Sequence, residues 1–212
     1  GYSSAASDVY KRQGKNIADS YLMDVLNNLN GNDFFLFVGT IEKRKNLGIV
    51  IDAFIQLKKV CPNEYKLVLA GRPGYGFDAY EEKIKQSGYS KDIICTGYID
   101  SGDVQKLYQN AAAYIFPTIY EGFGSTQLEC MANHLPLILS DIPTNREVSG
   151  DYGMFFSLSD PATLVQQMEK IVSGEYDYPA HRALAEEYLK KFSWDEIAFQ
   201  VHHFYESILK VN

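Results

Sequence analysis

A chain of 212 residues, 46% hydrophobic and 22% charged, is long enough for one well-buried core and has the make-up of an ordinary globular domain. Its net charge of −7 argues against a nucleic-acid partner held on a basic surface, so an anionic ligand needs a local cluster of cations. No apolar run approaches the roughly 18 residues of a membrane helix and no signal peptide is evident, which sets the expectation of a cytoplasmic protein without a transmembrane segment.

Residues 1–13 are small, polar and without hydrophobic period, and read as a flexible leader that need not be native. Residues 14–32 carry Ile17, Ala18, Tyr21, Leu22, Val25, Leu26 and Leu29 at helical spacing, a linker helix that Asn30-Gly-Asn-Asp33 stops. From residue 33 to 174 short apolar runs alternate with longer amphipathic ones. The strands expected are Phe34–Val38, Tyr65–Ala70, Ile93–Thr96, Ala113–Phe116, Pro136–Leu139 and Met154–Phe156. Helices are expected near 47–60, 78–87, 103–111, 125–133 and 161–173. Cys61, Cys95 and Cys130 fall among apolar residues of this stretch; odd in number and without a CxxC, they suit reduced thiols packed as small core hydrophobes rather than disulfides. Strands separated by helices predict an α/β fold, a Rossmann-like parallel sheet with helices on both faces and right-handed crossovers. Ligands of such sheets bind outside the carboxyl ends of the strands. The segments after the first five strands (Gly39-Thr40, Gly71 to Gly74, Gly97 to Ile99, Pro117 to Gly124 and Ser140 to Pro143) should therefore share one edge. Residues 175–212 form a separate unit, a polar linker from Glu175 to Pro179 followed by helices over Ala180–Lys191 and Trp194–Leu209. The stripe Ile197, Val201, Phe204, Ile208 is expected to pack on its own domain, the alternative being a second domain.

The segment Glu121-Gly-Phe-Gly-Ser-Thr-Gln-Leu-Glu129 sets two carboxylates eight residues apart around a glycine turn, between a strand end and a helix start. That order aims backbone N–H groups and the positive end of a helix dipole at one spot. Carboxylates beside the spot can grip hydroxyls while the helix end holds phosphates, and a sugar nucleotide carries both groups. Thr126-Gln-Leu-Glu129 also fits a capping box, with Glu129 closing the helix start. Glu121 has no such local role, and its alternative is a solvated surface charge. Lys43-Arg44-Lys45-Asn46 precedes the first helix, where three cations oppose the dipole, so an anion is expected to offset them. Arg can fork two phosphate oxygens while Lys acts as a point charge; the plain alternative is a solvated loop.

Other chemistries find no support. Gly71-Arg-Pro-Gly-Tyr-Gly76 is neither GxGxxG nor a Walker loop and reads as a mobile loop near the site. No acid follows the second strand to read an NAD ribose. No DxD holds a metal–diphosphate complex, and Asp100 and Asp103 look like a turn and a helix cap. His202 and His203 diverge on one helix and make a poor metal pair, so no metal site is expected. There is no Gly-x-Ser-x-Gly elbow and no Cys/His nucleophile.

Phe35-Leu-Phe-Val-Gly-Thr-Ile-Glu-Lys-Arg-Lys-Asn-Leu47, Gly97-Tyr-Ile99, Phe116-Pro-Thr-Ile-Tyr-Glu-Gly-Phe-Gly124, Glu129-Cys-Met-Ala132 and Asn145-Arg-Glu-Val148 together resemble the C-terminal, donor-binding domain of GT-B retaining glycosyltransferases. The group they look most like is the mannosyltransferase-rich glycosyltransferase family 4, and the likeness runs over residues 33–209 in order. The resemblance implies a catalytic set of Glu121, Arg44 and Lys45. Glu121 would contact hydroxyls of the transferred sugar, Arg44 and Lys45 the diphosphate, and Glu129 the nucleotide ribose. The backbone around Gly122, Phe123, Gly124, Ser125, Thr126 and Gln127 would meet the distal phosphate or sugar. Tyr98 and Ile99 would sit beside the base, with Gly39 and Thr40 in the first loop.

It further implies a metal-independent transfer of a hexose, mannose from GDP-mannose as the first choice, with no cofactor beyond the nucleotide-sugar donor. The acceptor would be a glycan or a lipid-linked sugar, held by an N-terminal domain of the whole enzyme, in polysaccharide assembly at the inner face of a membrane. Without that domain the chain would be inactive. Many members have Gly-Arg where this chain has Gly39-Thr40, apolar-Pro where it has Ser125-Thr126, and a turn glycine where it has His134; these departures bear on donor identity more than on activity class. The competing readings are another GT-B enzyme, such as a sugar-nucleotide epimerase or a glycan phosphorylase, and a non-catalytic nucleotide-sugar-binding module.

Overall fold

The computed structural model describes Leu29 and residues 33–61 and 64–209. The leader read over residues 1–13 and the linker helix lie outside them, apart from Leu29, which is buried in the core. Six strands follow, β1 (Phe34–Val38), β2 (Lys66–Ala70), β3 (Ile93–Gly97), β4 (Ala113–Phe116), β5 (Leu137–Ser140) and β6 (Gly153–Phe156). Each lies within a residue or so of its expected place. They form one sheet in the order β3-β2-β1-β4-β5-β6, parallel throughout. Continuous apolar runs such as Phe34–Phe37 and Leu137–Leu139 are buried along their whole length, as strands covered on both faces must be.

The covering helices are α1 (Leu47–Val60), α2 (Phe77–Gln86), α3 (Ser101–Asn110), α4 (Thr126–Ala132), α5 (Pro143–Ser149), α6 (Ala162–Val172), α7 (Tyr178–Lys190) and α8 (Trp194–Leu209). α1 buries Leu47, Val50, Ile51, Phe54 and Leu57 at the spacing of one helical face and packs on α2 and α6. α4 packs on α5 and α7. Cys130 is buried and Cys61 and Cys95 are half-buried, all three unbridged, as expected of core thiols.

The strand order places the topological switch between β1 and β4. From β1 the chain moves outward to β2 and β3, then returns to lay β4 on the other side of β1. The segments that leave β1 and β4 therefore diverge at the carboxyl edge and open a crevice there. The cation cluster follows β1 and the Glu121 turn follows β4, so both flank that crevice.

Four readings of the sequence need correction. The segment after β5 is not loop alone: Pro143 opens α5, a position where its missing N–H costs nothing, and a 3₁₀ turn over Gly150–Tyr152 follows. Lys43–Lys45 is a 3₁₀ turn rather than open loop. The linker before α7 ends at Asp177, whose side chain accepts from the N–H of Ala180, so Pro179 lies in the first helical turn. The stripe of α8, expected to pack on its own domain, is left largely uncovered by the described residues: Ile197, Val201, Phe204 and Ile208 are 36–62% exposed, and no residue of that helix is buried.

Candidate functional site

The 3₁₀ turn that carries the cations is pinned from two sides. The N–H of Lys43 donates to Tyr75 O at 2.9 Å, from the loop after β2, and the N–H of Ile119 donates to Arg44 O at 3.2 Å, from the loop after β4. Asn46 closes the turn in the left-handed region (φ 54°), which its short polar side chain tolerates. Held this way, Lys45 Nζ lies 2.6 Å and Arg44 Nη1 3.0 Å from one oxygen, Glu121 Oε2. The anion expected at the cation triplet is thus Glu121, with Glu42 on the outer side of Arg44 at 2.8 Å.

Exposure ranks these pairs. The side chains of Lys45 and Glu121 are only 12% and 16% exposed, against 42% for Arg44. An ion pair at Arg44 is screened by water and weak; the one at Lys45 is shielded and stronger. The ammonium of Lys45 also lies 4.9 Å from the centre of the Phe116 ring. Burial works against ionisation of Glu121, but the hydrogen bonds and charges of Lys45 and Arg44 outweigh it and hold the carboxyl below its ordinary value.

A buried polar network fastens the backbone under Glu121. Thr144 Oγ1 donates to Glu121 O at 3.1 Å, while Thr118 Oγ1 and Arg44 Nη1 donate to Tyr120 O at 2.8 and 2.9 Å. Behind them Ser140 Oγ donates to Thr118 O at 2.6 Å, and Asn145 Nδ2 to Ser140 O at 2.8 Å. Gln127 Nε2 donates to Asn145 Oδ1 at 3.0 Å, which ties the start of α4 to the same network. Gly124 is required by close approach, since a Cβ there would lie 2.5 Å from Gln127 Nε2. Gly122 and Phe123 are exposed, the Phe123 ring resting on Phe192 at 5.9 Å.

The capping box does not form. Ser125 precedes α4 in a helical conformation with no side-chain cap bond. The Thr126 hydroxyl lies 3.2 Å from the buried phenol of Tyr114, which is also 3.2 Å from Val38 O at the end of β1. The Glu129 carboxylate accepts from Tyr108 on α3 at 3.0 Å. Long-range partners have taken both groups, so Glu129 is an exposed carboxylate aimed from a buried tyrosine. The N–H of Gln127, a donor expected for the ligand, is committed to Gly124 O at 3.0 Å. His134 takes a left-handed turn (φ 55°) that a glycine would adopt without strain.

At the same carboxyl edge lies a cleft of about 340 Å³ between the ends of β1, β2 and β3, lined by Gly39, Thr40, Gly71, Arg72, Tyr98 and Ile99 among others. Gly71 allows its floor to close: a Cβ there would sit 1.8 Å from Gly39 O. The Arg72 guanidinium lies 4.3 Å from the centre of the Tyr98 ring and walls one side. The structure thus gathers Arg44, Lys45 and Glu121 into one contact, and Gly39, Thr40, Tyr98 and Ile99 into one cleft. Thr126 and Glu129 flank the start of α4, while Gly124 is half-buried and Ser125 exposed in the turn between. Sequence reasoning missed Arg72, Tyr108, Tyr114 and the Thr118, Ser140 and Thr144 hydroxyls. Of these, Arg72, Thr118 and Ser140 lie in segments after strands that the sequence had already marked; the others carried no signal. Among the described residues no three His, Cys, Asp or Glu side chains converge as a metal site, and no helix is long and apolar enough to cross a membrane.

A parallel sheet of this order with charged groups at its switch point is a Rossmann-like domain that takes its ligand at the carboxyl edge, and its fold is that of one half of the GT-B glycosyltransferases. Comparison with known proteins narrows that class. The chain belongs to the family described as Glycosyl transferases group 1, which matches residues 22–191. It is 27% identical over 175 residues to the Escherichia coli O-antigen chain mannosyltransferase B, covering 82% of this chain and 45% of that protein. It is 30% identical over 168 residues to an Escherichia coli serotype-specific mannosyltransferase WbdA, covering 78% of this chain and 21% of that one. The chain thus spans less than half the length of these curated relatives. Among solved structures it is similar in fold to Anabaena Alr3699/HepE, determined in complex with UDP and glucose: the TM-score is 0.73 at 18% identity, over 89% of this chain and 52% of that one.

Proposed function

We propose that this chain is the donor-binding half of a retaining, metal-independent glycosyltransferase of family 4, which passes a hexose from a nucleotide-diphosphate sugar to a glycan or lipid-linked acceptor. The observation that carries the reading is the meeting of Arg44, Lys45 and Glu121 at the switch point, at the same carboxyl edge as a cleft of nucleoside size. The cations suit a diphosphate and the carboxylate suits sugar hydroxyls. The cleft takes base and ribose, Tyr98 and Ile99 lying beside the base and Glu129, steadied by Tyr108, on the ribose hydroxyls. Mannose carried on GDP is the leading donor, because the curated relatives named above are mannosyltransferases.

The proposed chemistry is that of a retaining transfer. The acceptor attacks the anomeric carbon from the face that the leaving group departs, through an oxocarbenium-like state, and the departing diphosphate takes the acceptor's proton. Negative charge grows on the leaving oxygens. Arg44 and Lys45, fixed beforehand by the 3₁₀ turn, meet that charge without rearranging.

The acceptor site belongs to an N-terminal domain of the whole enzyme. Two observations support this: the chain covers 45% of its Escherichia coli relative, and the apolar stripe of α8 is exposed, on a helix that starts two residues beyond the Phe192 ring. The setting is polysaccharide assembly on the cytoplasmic side of a membrane. The test is a thermal-shift panel of GDP, UDP, ADP and their hexose conjugates against the chain and Glu129→Ala. A rise with one base that the variant loses supports the reading; no rise with any of them in the chain or in the whole enzyme overturns it.

A further inference from the structure

The site pairs its own charges. Lys45 and Arg44, which the proposed function gives to the diphosphate, and Glu121, which it gives to the sugar, are bonded to one another through a single carboxylate oxygen. A diphosphate brought to these cations meets a carboxylate already there, and two anions on the same shielded pair repel. The carboxylate has room to leave. The Glu121 side chain is 16% exposed, so one side of it lies open to solvent. The backbone cannot follow, because Glu121 O and Tyr120 O are held by Thr144, Thr118 and Arg44. The movement available is therefore a rotation of the Glu121 side chain alone.

We propose that Glu121 is an internal stand-in for the donor diphosphate, so that donor binding is an exchange of partners. The diphosphate takes the cations, and the displaced carboxylate takes the sugar hydroxyls. A nucleotide sugar satisfies both sides of the exchange. A nucleoside diphosphate satisfies only the first and leaves a half-buried carboxylate without its partners, a costly state. The site thereby favours the donor over the nucleoside diphosphate left after transfer, and Glu121 reclaims the cations as that product leaves. The inference rests on the donor-site reading above and adds a selectivity between substrate and product.

The experiment is calorimetric titration of the protein, Glu121→Gln and Glu42→Gln with GDP, UDP, ADP, GDP-mannose, UDP-glucose and ADP-glucose at one ionic strength. For the base that binds, Glu121→Gln should hold the nucleoside diphosphate about tenfold more tightly than the parent, since it lacks the competing charge. Its affinity for the sugar conjugate should not rise, so the preference for conjugate over diphosphate collapses towards one. Glu42→Gln removes the exposed partner of Arg44 and should change either affinity less than about threefold. Glu121→Ala, scored the same way, serves where the Gln variant does not melt in one transition. A parent that binds the nucleoside diphosphate as tightly as both Glu121 variants overturns the exchange and leaves the donor site standing. Binding of no nucleotide by parent or variants overturns both.

Discussion

The phenol of Tyr108 donates to the carboxylate of Glu129 at 3.0 Å, and this bond takes the place of the local capping contact that the sequence suggested for the second glutamate. A carboxylate closing its own helix would face the backbone of Thr126; this one is held instead by a buried tyrosine from α3 and stays exposed. Burial pushes the Tyr108 phenol far up from its ordinary value, so it remains a donor at every physiological pH. Tyr108→Phe should weaken nucleoside diphosphate binding about ten- to a hundredfold, the worth of one hydrogen bond to a charged group. Inorganic diphosphate, which has no ribose, should bind the variant as it binds the parent. The melting temperature should hardly change, because a phenylalanine keeps the edge-on contact with Tyr114 at 6.1 Å. Calorimetry with the two ligands separates this outcome from general loss of the site.

Lys45 contributes through shielding as much as through charge. Its ammonium is flanked by Glu121 and the Phe116 ring, where a diphosphate is not screened by water. Lys45→Ala should lower affinity for the sugar nucleotide by about 2–3 kcal/mol, thirty- to a hundredfold. Arg44→Ala should cost less, since its side chain is the more exposed and its bonds are shared with Glu42. Equal affinities in parent and Lys45→Ala would remove Lys45 from the donor site.

How much of this was legible in the sequence depends on range. The strands were legible because each is an apolar run with a turn behind it, and α1 because its buried residues keep one helical face. α5 was not: of Pro143–Ser149 only Val148 is a buried hydrophobe, and the face is completed by Asn145 and Ser149, polar residues that leave no apolar period. The local match to a capping box misled for a related reason. Thr126 and Glu129 found partners in Tyr114 and Tyr108, 12 and 21 residues away, and no local pattern reports such contacts. The residues Glu121 and Lys45 were each singled out, but their bond spans 76 residues and appears only once β1 and β4 lie side by side. The α8 stripe was read correctly as amphipathic; what covers it is not written in its spacing.

That stripe yields a contrast in stability. Val201→Ser and Phe204→Ser remove apolar groups that are exposed in this chain, so unfolding free energy should move by no more than about 0.5 kcal/mol. Leu164→Ala, at a fully buried position of α6, should cost about 3 kcal/mol. Urea titration of the three variants measures both. In the whole enzyme the two α8 variants should lower transfer activity if α8 docks on the N-terminal domain, and this chain alone should transfer no sugar in a radiolabelled assay. Transfer by the isolated chain would sink the two-domain reading.

At the opposite edge of the sheet, Asp92 joins three elements and gives the fold its clearest acid sensitivity. Its carboxylate is bonded to Lys66 at the start of β2 and lies 3.5 Å from Lys58 in the last turn of α1. Burial works to raise its pKa, but the Lys66 hydrogen bond and the charges of Lys58 and Lys66 outweigh that and hold it below the ordinary 3.8. A carboxyl lowered by folding stabilises the folded chain at every pH above its unfolded value, and that contribution fades as pH falls through the lower folded value. Asp92→Asn should therefore be about 2 kcal/mol less stable than the parent at pH 7, since it leaves two shielded lysines without their counter-charge. The gap should hold down to about pH 4 and narrow below it, closing as the parent's own carboxyl protonates. Denaturant melts of both proteins across that range measure the difference directly, and a gap that stays constant below pH 4 would show that Asp92 acts by packing and not by charge.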